Sequence, residues 1–314
     1  MGHAAKYAVI VNPASGNRRT GKAWSELEKE IQKVLGEFTT LFTQRPGHAT
    51  ELARNALRDG HNRIVGVGGD GTYHEIVNGF FEDDAPVNPD AALAILPRGT
   101  GSDLARTLGL PRGDDAIPFL SADAVITSDV GRARFMCADG HEQTAYFLNV
   151  AHVGMGGAVV RRVNNTTKVF GGFASYFWGV MATLMTYRNL RMQLDIDGTH
   201  IDQRCRDVII ANGCYDGGGM HVAPQARLDN GTFEVFVIGD AGRFESIRHI
   251  PNLYRGTLTR YAHRVQYFRA KRVVIQADEP ALLTLEGEHP GHTPITIDIL
   301  PATIRLVKPQ AGQS

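Results

Sequence analysis

Along the first hundred residues, short apolar runs alternate with segments whose apolar positions recur every three or four residues. The runs Tyr7–Asn12, Thr39–Thr43, Ile64–Gly68 and Ala91–Leu96 have strand length, and the segments Lys22–Leu35, Thr50–Asp59 and His74–Phe81 carry helical spacing. Strand and helix in strict alternation predict parallel strands joined by crossover helices. Ile64-Val-Gly-Val is apolar on both faces, which suits a central strand covered from both sides. From about Val125 the pattern changes. Thr127–Phe135, Tyr146–Val150, Met192–Ile196, Val208–Asn212, Thr232–Ile238, Arg264–Phe268, Val273–Ala277, Leu282–Leu285 and Ile295–Leu300 read as strands, and Asp197-Gly198, Asn230-Gly231 and Glu286-Gly287 read as hairpin turns. The expected architecture is an α/β N-terminal domain with a parallel sheet over residues 1–124, then a β-rich antiparallel sandwich over 125–299. The last residues, about 300–314, are free to return to the first domain.

Composition narrows the class. The chain has 314 residues, 43% hydrophobic and 21% charged, which excludes a disordered or fibrous protein. Its 33 basic residues balance 33 acidic ones, so no global field draws it to nucleic acid, and no nucleic-acid partner is expected. Cys137, Cys205 and Cys214 have neither metal-ligand spacing nor the even number of a disulfide framework, which fits a reducing cytoplasm. The N-terminus shows no signal-peptide layout and no myristoylation motif. The longest apolar stretch, Phe170–Met185, is shorter than the ~20 residues a membrane span needs.

Chemistry enters with the loops. Gly68-Gly69-Asp70-Gly71-Thr72 follows an apolar strand and opens a helix, where free backbone N–H groups and the helix dipole favour phosphate. Taken alone, it is equally a tight βα turn with an incidental aspartate. Asn12-Pro13-Ala14-Ser15-Gly16 and Pro97-Arg98-Gly99-Thr100-Gly101-Ser102-Asp103 end two further strands, so polar glycine-bearing loops gather at the carboxyl edge of a parallel sheet, the usual ligand crevice.

These motifs, in this order, with Glu75, Asn78-Gly79, Gly213–Met220, Ala223-Pro224, Leu228-Asp229-Asn230-Gly231 and Leu285-Glu286-Gly287-Glu288, resemble the catalytic domain of the diacylglycerol kinase family, related to sphingosine kinases and bacterial lipid kinases. The resemblance spans nearly the whole chain. It implies a fold of the NAD kinase and phosphofructokinase kind, with an ATP cleft between the two domains. Carried over position by position, it implies that Asn12, Pro13, Ala14, Ser15, Gly16, Thr43, Gly69, Asp70, Gly71, Thr72, Tyr73, His74, Glu75 and Thr100 line the nucleotide. It implies that Asp70 and Asp103 belong to a magnesium network, and that Glu288 accepts the proton of a lipid hydroxyl, with Glu286 beside it. Phosphoryl transfer rests mostly on positioning and charge neutralisation, which suits such a set.

Three positions depart from the family pattern: Glu286 stands for Asp, Ser102 for Asn, and Asn230 for the second Asp of Leu-Asp-Asp-Gly. In bacterial relatives that last loop holds a structural magnesium through an Asp side chain and two backbone carbonyls. Here the donors would be Asn230 and the carbonyls of Arg227 and Thr232, and losing the carboxylate should weaken the site.

The expected cofactors are ATP and Mg2+, and the expected partner is a membrane lipid met by transient surface contact from the cytoplasm. Phe170–Met185, flanked by Arg161, Arg162, Lys168, Arg188 and Arg191, reads as a buried helix, as a membrane-contacting segment, or as both at once, with its inner face lining a lipid-tail pocket. Two other functions stay open, a kinase of a soluble substrate and a nucleotide-binding regulator. Oligomeric state, homodimer included, is open too.

Overall fold

The computed structural model describes residues 5–121, 124–165, 172–261 and 263–309, apart from the side chains of 164–165 and 172–178. The first part of the chain forms β1 (Tyr7–Val11), α1 (Arg19–Leu35), β2 (Phe38–Phe42), α2 (His48–Arg58), β3 (Arg63–Gly68), α3 (Asp70–Gly79), a small hairpin β4 (Phe81–Glu82) and β5 (Ala85–Pro86), β6 (Ala92–Pro97) and α4 (Asp103–Leu108). The strands β2, β1, β3 and β6 lie in that order, all parallel. Both faces are covered, as the apolar runs require. Val9, Val11, Val65 and Val67 meet Trp24, Leu27 and Ile31 of α1, whereas Ala8, Ile10, Ile64 and Leu93 meet Ala53, Tyr73 and Ile76 of α2 and α3. Gly66 permits the close approach of α3 to β3, because a Cβ there would lie 2.8 Å from Ile76 Cδ1.

The second part contains β7 (Val125–Met136), β8 (Glu142–Phe147), β9 (Val150–Gly154), α5 (Met155–Asn165), α6 (Gly172–Thr186), β10 (Leu190–Ile196), β11 (Thr199–Cys205), β12 (Asp207–Ala211), β13 (Phe233–Ile238), α7 (Arg243–Arg255), β14 (Val265–Ala270), β15 (Arg272–Ala277), β16 (Leu282–Leu285) and β17 (Glu288–Val307). One layer runs β14-β13-β12-β9-β16, and the other joins β11, β10, β15, β17, β7 and β8. All pairings in this sandwich are antiparallel. Phe135, Phe147, Met192, Val208, Phe233, Ile275, Leu283 and Ile297 fill the space between them. The end of β17 joins the two sheets, since Arg305 and Leu306 pair parallel with Ala92 and Leu93 of β6 while still pairing antiparallel with Thr127 and Ile126 of β7.

The fold agrees with the α/β-plus-sandwich architecture read from the sequence and departs from it locally. The predicted strand Tyr146–Val150 is two strands, broken because the amides of Leu148 and Asn149 both turn onto the Glu286 carboxylate. Helix α3 starts at Asp70 rather than His74, since glycines give no helical signal. Asn230-Gly231 closes no hairpin, whereas Asp197-Gly198 and Glu286-Gly287 do, each with positive φ at both residues. Among the described residues no helix is long and apolar enough to cross a membrane.

Candidate active site

The loops that follow β1, β3 and β6 converge at one edge of the parallel sheet. They touch backbone to backbone: a Cβ on Gly99 would lie 2.5 Å from Gly69 Cα, and one on Gly16, whose φ is +58°, would lie 2.6 Å from the Arg98 carbonyl oxygen. Asn12 Nδ2 donates to Thr72 Oγ1 at 3.0 Å, tying the first loop to the second. Asn12 also shapes its own loop, accepting from Ala14 N through its side chain and from Ser15 Oγ through its carbonyl. Pro13 packs against Gly21 at the start of α1. Thr43 N donates to Val11 O, which sets that residue beside the first loop. A cavity of about 260 Å³ opens between Gly16, Thr20, Gly99 and Ser102, and Arg19, Arg98 and Arg112 line it. Thr100 is exposed on the third loop.

Three residues placed at the nucleotide by resemblance are engaged by the fold. The Tyr73 hydroxyl bridges the carbonyls of Gly68 and Leu96 beneath the loop. Both Glu75 carboxylate oxygens accept backbone N–H groups, from Gly47 and Ala49, and so cap α2. His74 is held neutral, since burial pushes its pKa down to about 4, and its Nδ1 is buried without a partner.

Carboxylates from both domains face the rim of these loops. Asp70, in the first turn of α3, accepts the amides of Asp103 (2.8 Å) and Leu104 (3.1 Å), and burial raises its pKa. Asp103 accepts Gly218 N at 2.7 Å and pairs with Arg106; burial, with Asp70 and Asp216 nearby, lifts it to about 6. From the opposite domain, the β16–β17 turn presents Glu286 and Glu288. Glu286 Oε1 accepts Leu148 N (2.6 Å) and Asn149 N (2.7 Å), and burial followed by the charges of Asp70 and Asp216 raises the group to about 8. Glu288 reaches α3, its Oε1 3.2 Å from where a Cβ on Gly71 would stand, and burial and Glu75 raise its pKa.

Behind this cluster lies an ionic chain that the sequence did not single out. His152 of β9 is buried, with Nδ1 3.0 Å from Asp207 Oδ2 and Nε2 3.1 Å from Asp216 Oδ2. Two carboxylate partners require both ring nitrogens to donate. Burial opposes the charge, but the carboxylates outweigh it and raise the imidazole to about 10. Asp216 closes a tight loop on Met220, the same loop whose Gly218 amide holds Asp103. Only the motif Gly213–Met220 marked this region in the sequence, and an isolated histidine on an apolar strand carries no signal of its partners.

The donors differ in how well they suit an ion. The raised carboxylates of half-buried Asp70 and buried Asp103, with Arg106 as counter-charge, form an oxygen-rich rim beside the arginine-lined cavity, and they fit magnesium shared with a nucleotide. The loop of Arg227, Asn230 and Thr232 does not fit an ion of its own. Asn230 Oδ1 accepts from Thr232 N and Oγ1, Arg227 pairs with Asp229, and the buried Asp129 holds Gly231 N (2.6 Å) and Ala302 N (2.8 Å) instead. Among the described residues only Cys137, Asp139 and His141, on the exposed β7–β8 turn, bring three such ligand atoms within 4.8 Å of one another.

Residues 6–134 match the diacylglycerol kinase catalytic domain, and residues 149–308 match the YegS C-terminal NAD kinase beta sandwich-like domain. The chain belongs to the diacylglycerol kinase family. It is 28% identical over 302 residues to the diacylglycerol kinase of Bacillus subtilis, covering 96% of each chain, and 27% identical to that of Staphylococcus carnosus, covering 96% and 94%. The crystal structure of a diacylglycerol kinase from Bacillus anthracis has the same fold, with a TM-score of 0.73 at 24% identity over 98% and 97% of the two chains. Yeast NADH kinase, solved with NADH, shares it more distantly, with a TM-score of 0.52 at 12% identity over 98% and 84%. Membership of this kinase family implies use of ATP.

Proposed function

We propose that this protein is a lipid kinase that transfers the γ-phosphoryl group of ATP to a hydroxyl of a membrane lipid such as diacylglycerol. The observation that carries the proposal is the meeting of Glu288, from the sandwich, with the start of α3, where Gly69 and Asp70 open a helix N-terminus to phosphate. A donor phosphate held by the loops and an acceptor hydroxyl arriving from the sandwich would meet at that carboxylate. The three arginines of the cavity and the α3 amides would bind and orient the polyphosphate. Magnesium, when bound with the nucleotide, would neutralise charge on the phosphate oxygens. Asp70 orients the α4 amides and shares the rim with Asp103. Glu288 takes the hydroxyl proton, and Glu286 fixes the strand break that shapes the acceptor side.

Incubation with labelled ATP and total lipid extract, NAD or sugar phosphates, followed by thin-layer chromatography, tests the reading. Label in a lipid product is expected. Label in NAD or a sugar phosphate alone would overturn it, as would ATP binding without transfer to any acceptor.

A further inference from the structure

Helix α7 lies on the sandwich with no buried residue of its own. Ile247, Ile250 and Leu253 are half-buried, and His249 stacks on Tyr261 with ring centroids 3.6 Å apart, so one side of the helix is docked. Among the described residues the other side faces solvent. Phe244, Arg248, Pro251 and Arg255 repeat at helical spacing along it, and all are exposed, Phe244 at 79%. Among the described residues the exposed large hydrophobics are Phe42, Met185, Phe244, Tyr254 and Tyr267. Most of that short set belongs to α7 and to α6, which packs against it.

Charge on this face is one-sided although the chain as a whole is neutral. Between residues 240 and 264 stand Arg243, Arg248, Arg255, Arg260 and Arg264 against Asp240 and Glu245. Glu245 is taken by Arg264, His263 and the Gly242 amide, and Asp240 by Asn189. Among the described residues Arg243, Arg248, Arg255 and Arg260 have no ion-pair partner. Aromatic and aliphatic groups set among unpaired arginines on an exposed helix match an anionic lipid surface, where the rings enter the headgroup layer and the guanidinium groups meet lipid phosphates. A second copy of the chain fits poorly, because a twofold contact would set the arginines against themselves.

We infer that α7, with the adjoining end of α6, is the face that docks on an anionic membrane. The inference rests on the lipid-kinase reading for its purpose, but its test needs neither ATP nor turnover. Vesicles of phosphatidylcholine alone, and of phosphatidylcholine mixed with phosphatidylglycerol, would be co-sedimented with the full chain and with Phe244→Asp and Arg248→Glu/Arg255→Glu. The wild type should bind the mixed vesicles and lose binding as salt rises. The double arginine variant should bind at least about 30-fold more weakly, the worth of two cationic side chains beside an anionic leaflet. Phe244→Asp should also bind more weakly. These positions are exposed, so unchanged thermal unfolding will show that the variants are folded. Equal binding by wild type and variants would overturn the inference. So would a dimer that Phe244→Asp dissociates while vesicle binding persists, which would assign the face to a second copy. Failure to phosphorylate any lipid, with vesicle binding intact, would remove the kinase reading and leave the docking face standing.

Discussion

Glu286 and Glu288 flank a single glycine but sit in different surroundings, and this separates their expected roles. Glu288 reaches the first turn of α3 with no hydrogen-bond partner for its carboxylate among the described residues, so Glu288→Gln should spare ATP affinity and lower single-turnover phosphoryl transfer by about 10²–10⁴, the usual worth of a general base. Normal transfer by Glu288→Gln together with a dead Glu286→Gln would exchange the two roles. Glu286 is instead a half-buried group whose carboxyl is held near 8 by desolvation and by Asp70 and Asp216. Its folded pKa lies above the usual 4.5, so the folded state holds a proton that the unfolded state has released between about pH 4.5 and 8. Wild-type stability should therefore fall with rising pH across that window and level off above it. Glu286→Gln keeps an oxygen for the Leu148 and Asn149 amides without a charge to bury. Its melting temperature relative to wild type should rise from pH 5 to about pH 8, and a pH-independent difference would show that the carboxyl is not buried as described. Glu286→Asp restores the family's usual residue, yet it draws the carboxylate one methylene short of those amides. Two unpaired buried N–H groups should then cost about 1–3 kcal/mol each, unless the turn moves to meet them.

At the scale of elements, the glycine loops make the sharpest expectation, since their function depends on backbone contact. Gly99→Val would drive a branched side chain into Gly69, so the loops should separate and ATP binding should be lost, as titration calorimetry would read; unchanged affinity would place the nucleotide elsewhere. These loops were legible in the sequence because glycine and asparagine at strand ends announce themselves, as did β1, β3 and β6 through apolar runs. Other elements were not. Strand β11, Thr-His-Ile-Asp-Gln-Arg-Cys, is an edge strand whose exposed face is polar, and α7 has no fully buried residue and carries Pro251 inside it, which masks the spacing of Ile247, Ile250 and Leu253. Glu75 and Tyr73 show the opposite limit. Their motif is plain, but only the fold reveals that one caps α2 and the other supports the sheet ends. The Asp129 carboxylate, which holds Gly231 and Ala302, and the Asp207–His152–Asp216 chain were hidden because their partners are far apart in sequence.

At the scale of the whole molecule, the two walls of the cleft share a strand, a hydrogen-bonded chain and a contact behind α3, where Asn78 exchanges hydrogen bonds with the Tyr146 backbone and Phe81 stacks on its ring. Strand β17 pairs with β16, β15 and β7 in the sandwich and then with β6 in the parallel sheet, so the strands other than the β4–β5 hairpin form a single sheet. Across the cleft, Asp70 holds the α4 amides, Asp103 holds Gly218, and the imidazolium of His152 pins the loop that carries Gly218. A continuous sheet makes the domains poor candidates for independent unfolding, because melting one frees the pairing partner of the other. Scanning calorimetry should therefore give a single transition, and two resolved transitions would show that the shared strand does not couple them. Leu306 gives the sharper test. It is fully buried beside Leu93 of β6 and Ile126 of β7, in a core that also takes in Val130, Tyr146 and Leu148, so Leu306→Asp places an unpaired charge where the parallel sheet and the sandwich meet. With coupling, the variant should lose sandwich and α/β structure together, seen as parallel loss of amide protection in β12 and β3 by hydrogen exchange. If β12 stays protected while β3 opens, the sandwich stands by itself and the cleft is a joint between two independent bodies.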